Sequence, residues 1–356
     1  MEEKQPHKRR IHYAGIHPKS YEEKYKEREP EKYQTTVEKV IQKGSTPAGM
    51  HISIMVDEIL DFLQIQPGQT GLDATLGYGG HSAHMLRQLC GQGHLYALDV
   101  DSIEMNKTKE RLKKQGYGED ILTICHLNFA DADTLIDQSG QFDFILADLG
   151  VSSMQIDNPK RGFTYKQNGP LDLRLDSDKG EPAFVVLKQM QEDEIAGMLV
   201  ENADEEYAVQ IAHAIYTYNN HGKPMETTKE LRDCIEGALK KIPALQRFSQ
   251  KDFDQTLKKS CQRTFQAIRI DVNHEYEVLY SFLEKLPDML APGGKVVILT
   301  FHSGEDRLVK NLMKRFYQTG IYSQFSKEVQ RPSKEECIRN PRARSTKMRW
   351  AVRSNK

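Results

Sequence analysis

Leu72-Asp73-Ala74-Thr75-Leu76-Gly77-Tyr78-Gly79-Gly80-His81, followed by Leu95-Tyr96-Ala97-Leu98-Asp99, decides the fold class of this chain. An apolar strand ends in an acid, turns through glycines and opens a helix. A second short strand then ends in another acid, Asp99, 22 residues after Gly77. In a doubly wound sheet this arrangement sets glycine backbone against a nucleotide-like ligand and an acidic side chain on its ribose hydroxyls. Position i+5 from Gly77 is Ser82, not the third glycine of a dinucleotide fingerprint, and no G-x-x-x-x-G-K-[ST] phosphate loop occurs. Acids at both strand ends suit a cationic ligand without phosphates, which points to S-adenosylmethionine. For this segment alone, a tight turn without a ligand is the alternative.

At 356 residues the chain exceeds one typical domain and can bury a large core. Hydrophobic content is 38%, and no apolar run approaches the ~20 residues that span a bilayer, so a cytoplasmic protein without membrane contact is expected. Met1 to Arg10 is polar and has no apolar core, unlike a secretory signal. Cys90, Cys125, Cys234, Cys261 and Cys337 lie far apart with no C-x-x-C, which suggests reduced thiols and no metal site. The formal net charge of -1 hides a basic end: Arg331 to Lys356 holds nine Lys or Arg against two acids, with Trp350 among them. Such a run suits phosphate contact, with a solvated tail or basic edge strand as the alternative.

Residues 1–49 read as a charged extension, with a solvent-exposed helix expected over Tyr21 to Lys43 and an amphipathic one over Met50 to Leu63. Thr70–Thr75, His94–Asp99, Ile121–His126 and Phe142–Leu149 read as short buried strands alternating with helices, the pattern of a parallel sheet. Alternation stops after Asp148. Val185–Glu201, Glu205–Asn219, Thr227–Lys241 and Phe253–Cys261 read as helices of an inserted subdomain, 157–263. Glu275–Leu290 forms a helix ended by Ala291-Pro292-Gly293-Gly294, Lys295–Phe301 resumes the sheet, and segments around Ile321–Val329 and Lys347–Val352 close it. The sheet domain thus comprises 50–156 and 264–356.

Ligands of open α/β sheets bind beyond the carboxyl ends of the strands. Three polar clusters fall there: Asn128-Phe129-Ala130-Asp131, Asp148-Leu149-Gly150-Val151-Ser152-Ser153-Met154-Gln155, and Phe301-His302-Ser303-Gly304-Glu305-Asp306-Arg307. Each alone could be a helix cap. Together, beside the glycine turn, they form a candidate site.

These residues resemble the bacterial small-subunit (16S) rRNA cytosine-N4 methyltransferases of the MraW/RsmH type, from about His51 to the C-terminus. The matching motifs are Asp73 to Ser82, Asp148 to Ser153, Arg161-Gly162-Phe163, Gly169-Pro170-Leu171-Asp172-Leu173-Arg174, Arg263-Thr264-Phe265-Gln266-Ala267-Ile268-Arg269, and Phe301-His302-Ser303. The resemblance implies a Rossmann-like class I S-adenosylmethionine-dependent methyltransferase with an inserted helical domain. It places cofactor contacts on Gly79, Gly80, His81, Asp99, Phe129, Asp148 and Gln155, and ribosomal RNA or the small ribosomal subunit as partner. Three departures stand out. About fifty residues precede the usual start, Met154 replaces a usual proline, and Gly304 replaces a usual bulky apolar residue. A paralogue acting on another RNA nucleotide, or a non-catalytic S-adenosylmethionine-binding module, is the rival reading.

The exocyclic amine of cytosine shares its lone pair with the ring and is a poor nucleophile. Catalysis then rests on holding acceptors against the amine protons and aligning the nitrogen with the methyl group. Asp148-Leu149-Gly150-Val151 lacks the prolines and aromatic of Asp-Pro-Pro-Tyr, so a backbone carbonyl there, with the carboxylate of Asp148 or Asp172, is expected to serve. His302 is a further catalytic candidate. Arg339, Arg342, Arg344, Lys347 and Arg349, with Lys258, Lys259 and Arg263 of the insert, are expected to grip RNA phosphates.

Overall fold

The computed structural model describes residues 53–355, apart from 153, 154, 157 and 222–224. The charged extension, its expected helix and the position of Met154 lie outside the described residues. In chain order the elements are α1 (Val56–Leu63), β1 (Thr70–Asp73), α2 (Gly80–Leu89), β2 (His94–Asp99), α3 (Ser102–Lys114), β3 (Leu122–His126) and β4 (Phe142–Asp148). A helical block follows: α4 (Ala183–Gln189), α5 (Glu192–Ala203), α6 (Ala208–Asn220), α7 (Thr228–Lys240), α8 (Gln250–Val272) and α9 (Glu275–Met289). The chain then returns through β5 (Leu290–Thr300), α10 (Ser303–Gln318), β6 (Tyr322–Phe325), α11 (Lys334–Arg339) and β7 (Lys347–Arg353).

One seven-stranded sheet results, in the order β3-β2-β1-β4-β5-β7-β6. Its first five strands are parallel. β7 runs antiparallel to both β5 and β6, so the sheet expected to be parallel over its first strands closes on an antiparallel edge. The period of two along each strand sorts side chains between two cores. Tyr96, Leu98, Ile145, Ala147, Val296 and Ile298 face α9 and α10, while Leu95, Ala97, Phe144, Leu146, Val297 and Leu299 face α1 and α2. The chain leaves β1 toward β2 and β3, then returns to its other side as β4. That reversal opens a crevice between the carboxyl ends of β1 and β4.

The helical block has its own core, around Ile195, Leu199, Ile211, Leu231, Ile235, Leu257 and Phe265. Two expectations change here. The helix expected over Val185–Glu201 is two helices, because Met190 is extended and Gln191 starts α5, its amide donating to Glu194 Oε2 (2.7 Å). The short helix expected over Phe253–Cys261 is 23 residues long. Leu257, Cys261, Thr264, Phe265 and Ile268 continue one buried stripe, so the boundary expected at 263/264 falls inside an unbroken helix. β5 begins earlier than expected, at Leu290, and runs through Pro292–Gly294 with a register shift against β4.

Gly71 is the tightest point of the sheet. A Cβ there would lie 2.0 Å from the ring of Phe144, which is only 1% exposed and has nowhere to go. Gly71→Ala should therefore destabilise the protein by about 1–3 kcal/mol, the usual cost of overpacking. Urea denaturation checks this, and an unchanged midpoint would show that Phe144 can move.

Candidate active site

The crevice gathers three acids from three strand ends. Asp73 ends β1 and is 1% exposed. Its Oδ2 accepts from Ser82 Oγ (2.6 Å) and its Oδ1 from the Thr75 amide (3.1 Å). Burial still outweighs these bonds and raises its pKa. Asp99 ends β2 and accepts two backbone N–H groups, from Gly77 on Oδ2 and Asp101 on Oδ1, both at 2.8 Å. Each oxygen keeps a lone pair for an outside donor. Burial pushes this carboxyl up to about 6. Asp148 ends β4, and burial, with Asp73 and Glu305 nearby, pushes it up to about 6 against the opposing pull of His81.

The glycine turn is clamped from α3. Gly79 stands at φ 75 as the residue before α2, a left-handed conformation that glycine adopts without penalty. On that side a Cβ would meet the Thr108 methyl at 2.7 Å. Thr108 Oγ1 donates to the Gly77 carbonyl (2.7 Å), and Arg111 donates to the Tyr78 carbonyl while its guanidinium covers the Tyr78 ring. His81 follows, 8% exposed, with Nε2 2.9 Å from the Ile54 carbonyl and Nδ1 3.5 Å from Asp148 Oδ2.

Asp101 is the residue of the candidate site that the sequence reading passed over. It is 3% exposed, caps α3 by accepting from the Glu104 amide (3.2 Å), and takes both Arg161 NH1 (2.6 Å) and Gln155 Nε2 (3.0 Å) on Oδ2. The available signal was the second acid two residues beyond Asp99. Arg161 also donates to the carbonyls of Arg174 (3.1 Å) and Leu175 (2.8 Å), so one side chain ties the cofactor side to the loop before the helical block. That loop is strained at Leu173 (φ 63). Asn273 holds it there, donating to the Leu173 carbonyl (2.8 Å) and accepting from the Leu175 amide (2.7 Å).

The other candidates occupy less open positions. Gln155 is engaged at both ends, since its Oε1 accepts from the Ser152 amide (2.8 Å). Phe129 follows β3 with its ring edge-on to Phe282 at 5.2 Å, partly buried. Asp172 is held bidentately by Arg174, Nε on Oδ1 (2.8 Å) and NH2 on Oδ2 (2.9 Å). His302 caps α10, its Nδ1 accepting from the Glu305 amide (3.4 Å). Its Nε2 lies 3.0 Å from Glu305 Oε1 without a hydrogen bond between them. Burial works against the Glu305 charge, yet His302, the Phe301 amide and Arg269 outweigh it and hold this carboxyl below its ordinary range. Glu275, His302 and Glu305 come close enough to share an ion, but both oxygens of Glu275 already take Arg269 (2.7 and 2.8 Å). Beside them, a Cβ on Gly304 would lie 2.0 Å from Tyr276 Oη, so tyrosine fills the space that a bulky residue at 304 would need.

Part of the expected RNA surface is neutralised from within. Arg349 is buried and pairs with Asp306 (2.6 Å), which Lys347 also faces (3.5 Å). Arg263 pairs with Glu205 (2.8 Å) and Glu206 (3.1 Å). Trp350 packs on Phe62, ring centroids 4.6 Å apart. Arg349, Lys347 and Arg263 thus enter ion pairs with acids from distant parts of the sequence, and Trp350 enters the packing. Lys258, Lys259, Arg339, Arg342 and Arg344 are exposed.

The chain matches the MraW methylase family over residues 48–354. It is 62% identical to a protein of Lachnoclostridium phytofermentans named ribosomal RNA small subunit methyltransferase H 1, covering 98% of this chain and 93% of that one. A protein of the same name from Agathobacter rectalis is 60% identical, covering 99% and 100%. A Koribacter versatilis protein named ribosomal RNA small subunit methyltransferase H is 37% identical, covering 85% and 94%. Coverage of 98–99% cannot be reached without most of the residues before 48, so the first two relatives share the charged extension.

The Arg161–Asp101 pair is nearly dry, at 13% and 3% side-chain exposure. Arg161→Ala would strand the Asp101 carboxylate and free two carbonyls, costing about 3 kcal/mol or more of stability. Denaturant melts of Arg161→Ala, Asp101→Asn and the double variant test it. The double variant should be less destabilised than the sum of the singles, and strict additivity would show that the pair is not coupled.

Proposed function

The chain belongs to the MraW methylase family, and from that premise we propose that it methylates the exocyclic N4 of a cytidine in small-subunit ribosomal RNA, with S-adenosylmethionine as methyl donor. Asp148 is the observation that carries the reading. It places a carboxylate at the carboxyl end of β4, across the crevice from the glycine turn, with a histidine nitrogen 3.5 Å from its Oδ2. The alignment with rRNA methyltransferases through almost the whole chain supports it, and so does the acidity of the crevice, which suits a sulfonium. The bound donor supplies a methyl group on a positively charged sulfur.

Each residue then has a task. Asp99 accepts the ribose hydroxyls on the lone pairs left by Gly77 and Asp101. Gly79, Gly80 and His81 line the turn beside the donor, and Phe129, braced by Phe282, offers a face to adenine. Gln155 acts one step back, ordering the loop after β4 and engaging Asp101. Asp148, with a carbonyl of the Leu149–Val151 segment, takes the amine protons and aligns the nitrogen, which is largely a positioning effect. Asp172 is poorly suited to that role because Arg174 holds both its oxygens. His302, by capping α10, fixes the start of the helix beside the site. We place the insert from 157 to the end of α8 and the sheet domain on either side of it, the insert forming the wall over the target base, and we place the reaction in the cytoplasm. Because an amine inside a duplex is out of reach, the base enters unpaired or flipped, at a cost of a few kcal/mol.

The ribose assignment predicts that Asp99→Ala weakens S-adenosylmethionine binding by roughly 1.5–3 kcal/mol. Because its carboxyl titrates at about 6, the parent's affinity should fall as pH drops through that value, when a protonated acid no longer accepts two hydroxyls. Titration calorimetry reads both, and an unchanged affinity in Asp99→Ala would remove Asp99 from the site.

Mass spectrometry of rRNA nucleosides from cells with and without the gene tests the reaction. The expected loss is N4-methylcytidine from the small subunit. Loss of a different nucleoside would point to the paralogue reading, and no loss to a binding module. In vitro, Asp148→Asn should lower turnover at saturating donor by roughly 100-fold or more with little change in thermal midpoint.

A further inference from the structure

His81 is held in one tautomer. Its Nε2 lies 2.9 Å from the Ile54 carbonyl, which can only accept, so Nε2 carries the proton. In the neutral ring the lone pair therefore sits on Nδ1, and Nδ1 faces Asp148 Oδ2 at 3.5 Å. The other oxygen, Oδ1, is sealed from solvent and has no hydrogen-bond partner. The 20% exposure that the Asp148 side chain keeps cannot belong to Oδ1. Oδ2 is thus the oxygen that borders both the crevice and the imidazole. An ionised Oδ2 opposite a lone pair is one proton short, and the couple is built to take up one.

We propose that Asp148 and His81 form a proton relay: Oδ2 accepts the proton that leaves the methylated amine, and Nδ1 of His81 takes it over. The inference rests on the amine-methylation reading above and adds the path of the proton. The amine lone pair forms the new N–C bond as the S–C bond breaks, its electron pair staying on sulfur. The nitrogen, now cationic, loses an N–H proton to Oδ2 and keeps that bond's electrons. Transfer from Oδ2 to Nδ1 restores the carboxylate beside an imidazolium, which releases the proton to water after product leaves. No oxidant or further reactant is needed.

The surroundings suit this task. Asp73 from β1 and Glu305 from α10 face Asp148 and raise its proton affinity, while His81 from α2 lowers it. His84 and Asp73 are the other titratable groups that sense His81. With its carboxyl pushed up by burial to about 6, Asp148 is ionised at neutral pH yet basic enough to receive a proton.

The test follows the pH profile at saturating donor, with His81→Phe and with His81→Gln, which can still donate to the Ile54 carbonyl if the first fails to fold. The parent should show an acid limb of slope one near pH 6. The relay needs Oδ2 ionised and Nδ1 unprotonated at once, so the parent's limb follows the first proton that the pair takes up. Without imidazole only protonation of Asp148 blocks the step, so the limb should move down. Turnover above it should stay below the parent's, because the proton has no second acceptor. A merely structural histidine would lower turnover equally at every pH. Carbon NMR of the Asp148 carboxyl in the donor complex gives a reading independent of turnover, and its titration should move up in His81→Gln. An unmoved limb and an unmoved titration overturn the relay. A parent that forms no methylcytidine at any pH, while the titration still moves, overturns the functional reading and leaves the pair standing.

Discussion

The burial of several carboxylates at neighbouring strand ends is the constraint on which the architecture of the crevice depends. Asp73, Asp99 and Asp148 end three neighbouring strands, and Asp101 follows two residues later. A buried carboxylate is tolerated where donors or a counter-charge meet it, and it drifts toward its neutral form where they do not. Asp73 has Ser82 and the Thr75 amide, Asp99 has two backbone amides, and Asp101 has an arginine and a glutamine. Among the described residues, Asp148 has a histidine at 3.5 Å and no hydrogen-bond donor on Oδ1. Seen this way, the sharp turn at Gly77, the helix cap at Asp101 and the approach of the Ile54 carbonyl each supply or orient a donor at the strand ends. The acid left with least compensation is the one whose proton affinity a reaction can use.

The same constraint joins the helical block to the sheet. Arg161 neutralises Asp101 and spends its remaining donors on the carbonyls of Arg174 and Leu175, while Asn273 at the end of α8 holds that segment from the other side. A bulky residue such as Leu173 persists at φ 63 only when its neighbours over-determine it. The loop entering the insert is therefore fixed to the group that caps α3, and α3 in turn clamps the glycine turn through Thr108 and Arg111. Movement of the insert and order in the cofactor turn share one chain of contacts, though only a two-state change biased from both ends would make that chain allosteric.

Local pattern carried most of the fold and about half of the site. Apolar runs of four to seven residues, three of them ending in an acid, located β1 to β4, because buried parallel strands show no polar face to confuse the period. Asp99 and the glycine turn were legible because their spacing is fixed by one strand–helix–strand unit. What stayed hidden was every contact whose partners lie far apart in sequence. The Arg161–Asp101 pair spans 60 residues, and His81 is fixed by a backbone carbonyl that has no side-chain signature. Helix α8 was read short, although Leu257, Cys261, Thr264, Phe265 and Ile268 continue one buried stripe past the end that was expected at Cys261.

Charge shows the same limit most clearly. A run of cations reads as a nucleic-acid surface only if its charge is available to release counterions from phosphate. Arg349 and Lys347 share Asp306, whose acidity they strengthen against the cost of burial, and Arg263 is divided between Glu205 and Glu206. Charge compensated inside the protein adds little to a salt-dependent grip. Arg349 also donates to the Ser326 carbonyl, and β6 pairs with β7 beside it, so this arginine belongs to the closing of the sheet. Of the cations expected to meet RNA, the exposed ones fall into two groups, Lys258 and Lys259 on α8, and Arg339, Arg342 and Arg344 from the end of α11 toward β7. One group belongs to the insert and the other to the sheet domain. A strand held by both would contact each wall of the fold, and the Arg161–Asp101 contact that sets those walls relative to each other would then shape the RNA path without touching RNA.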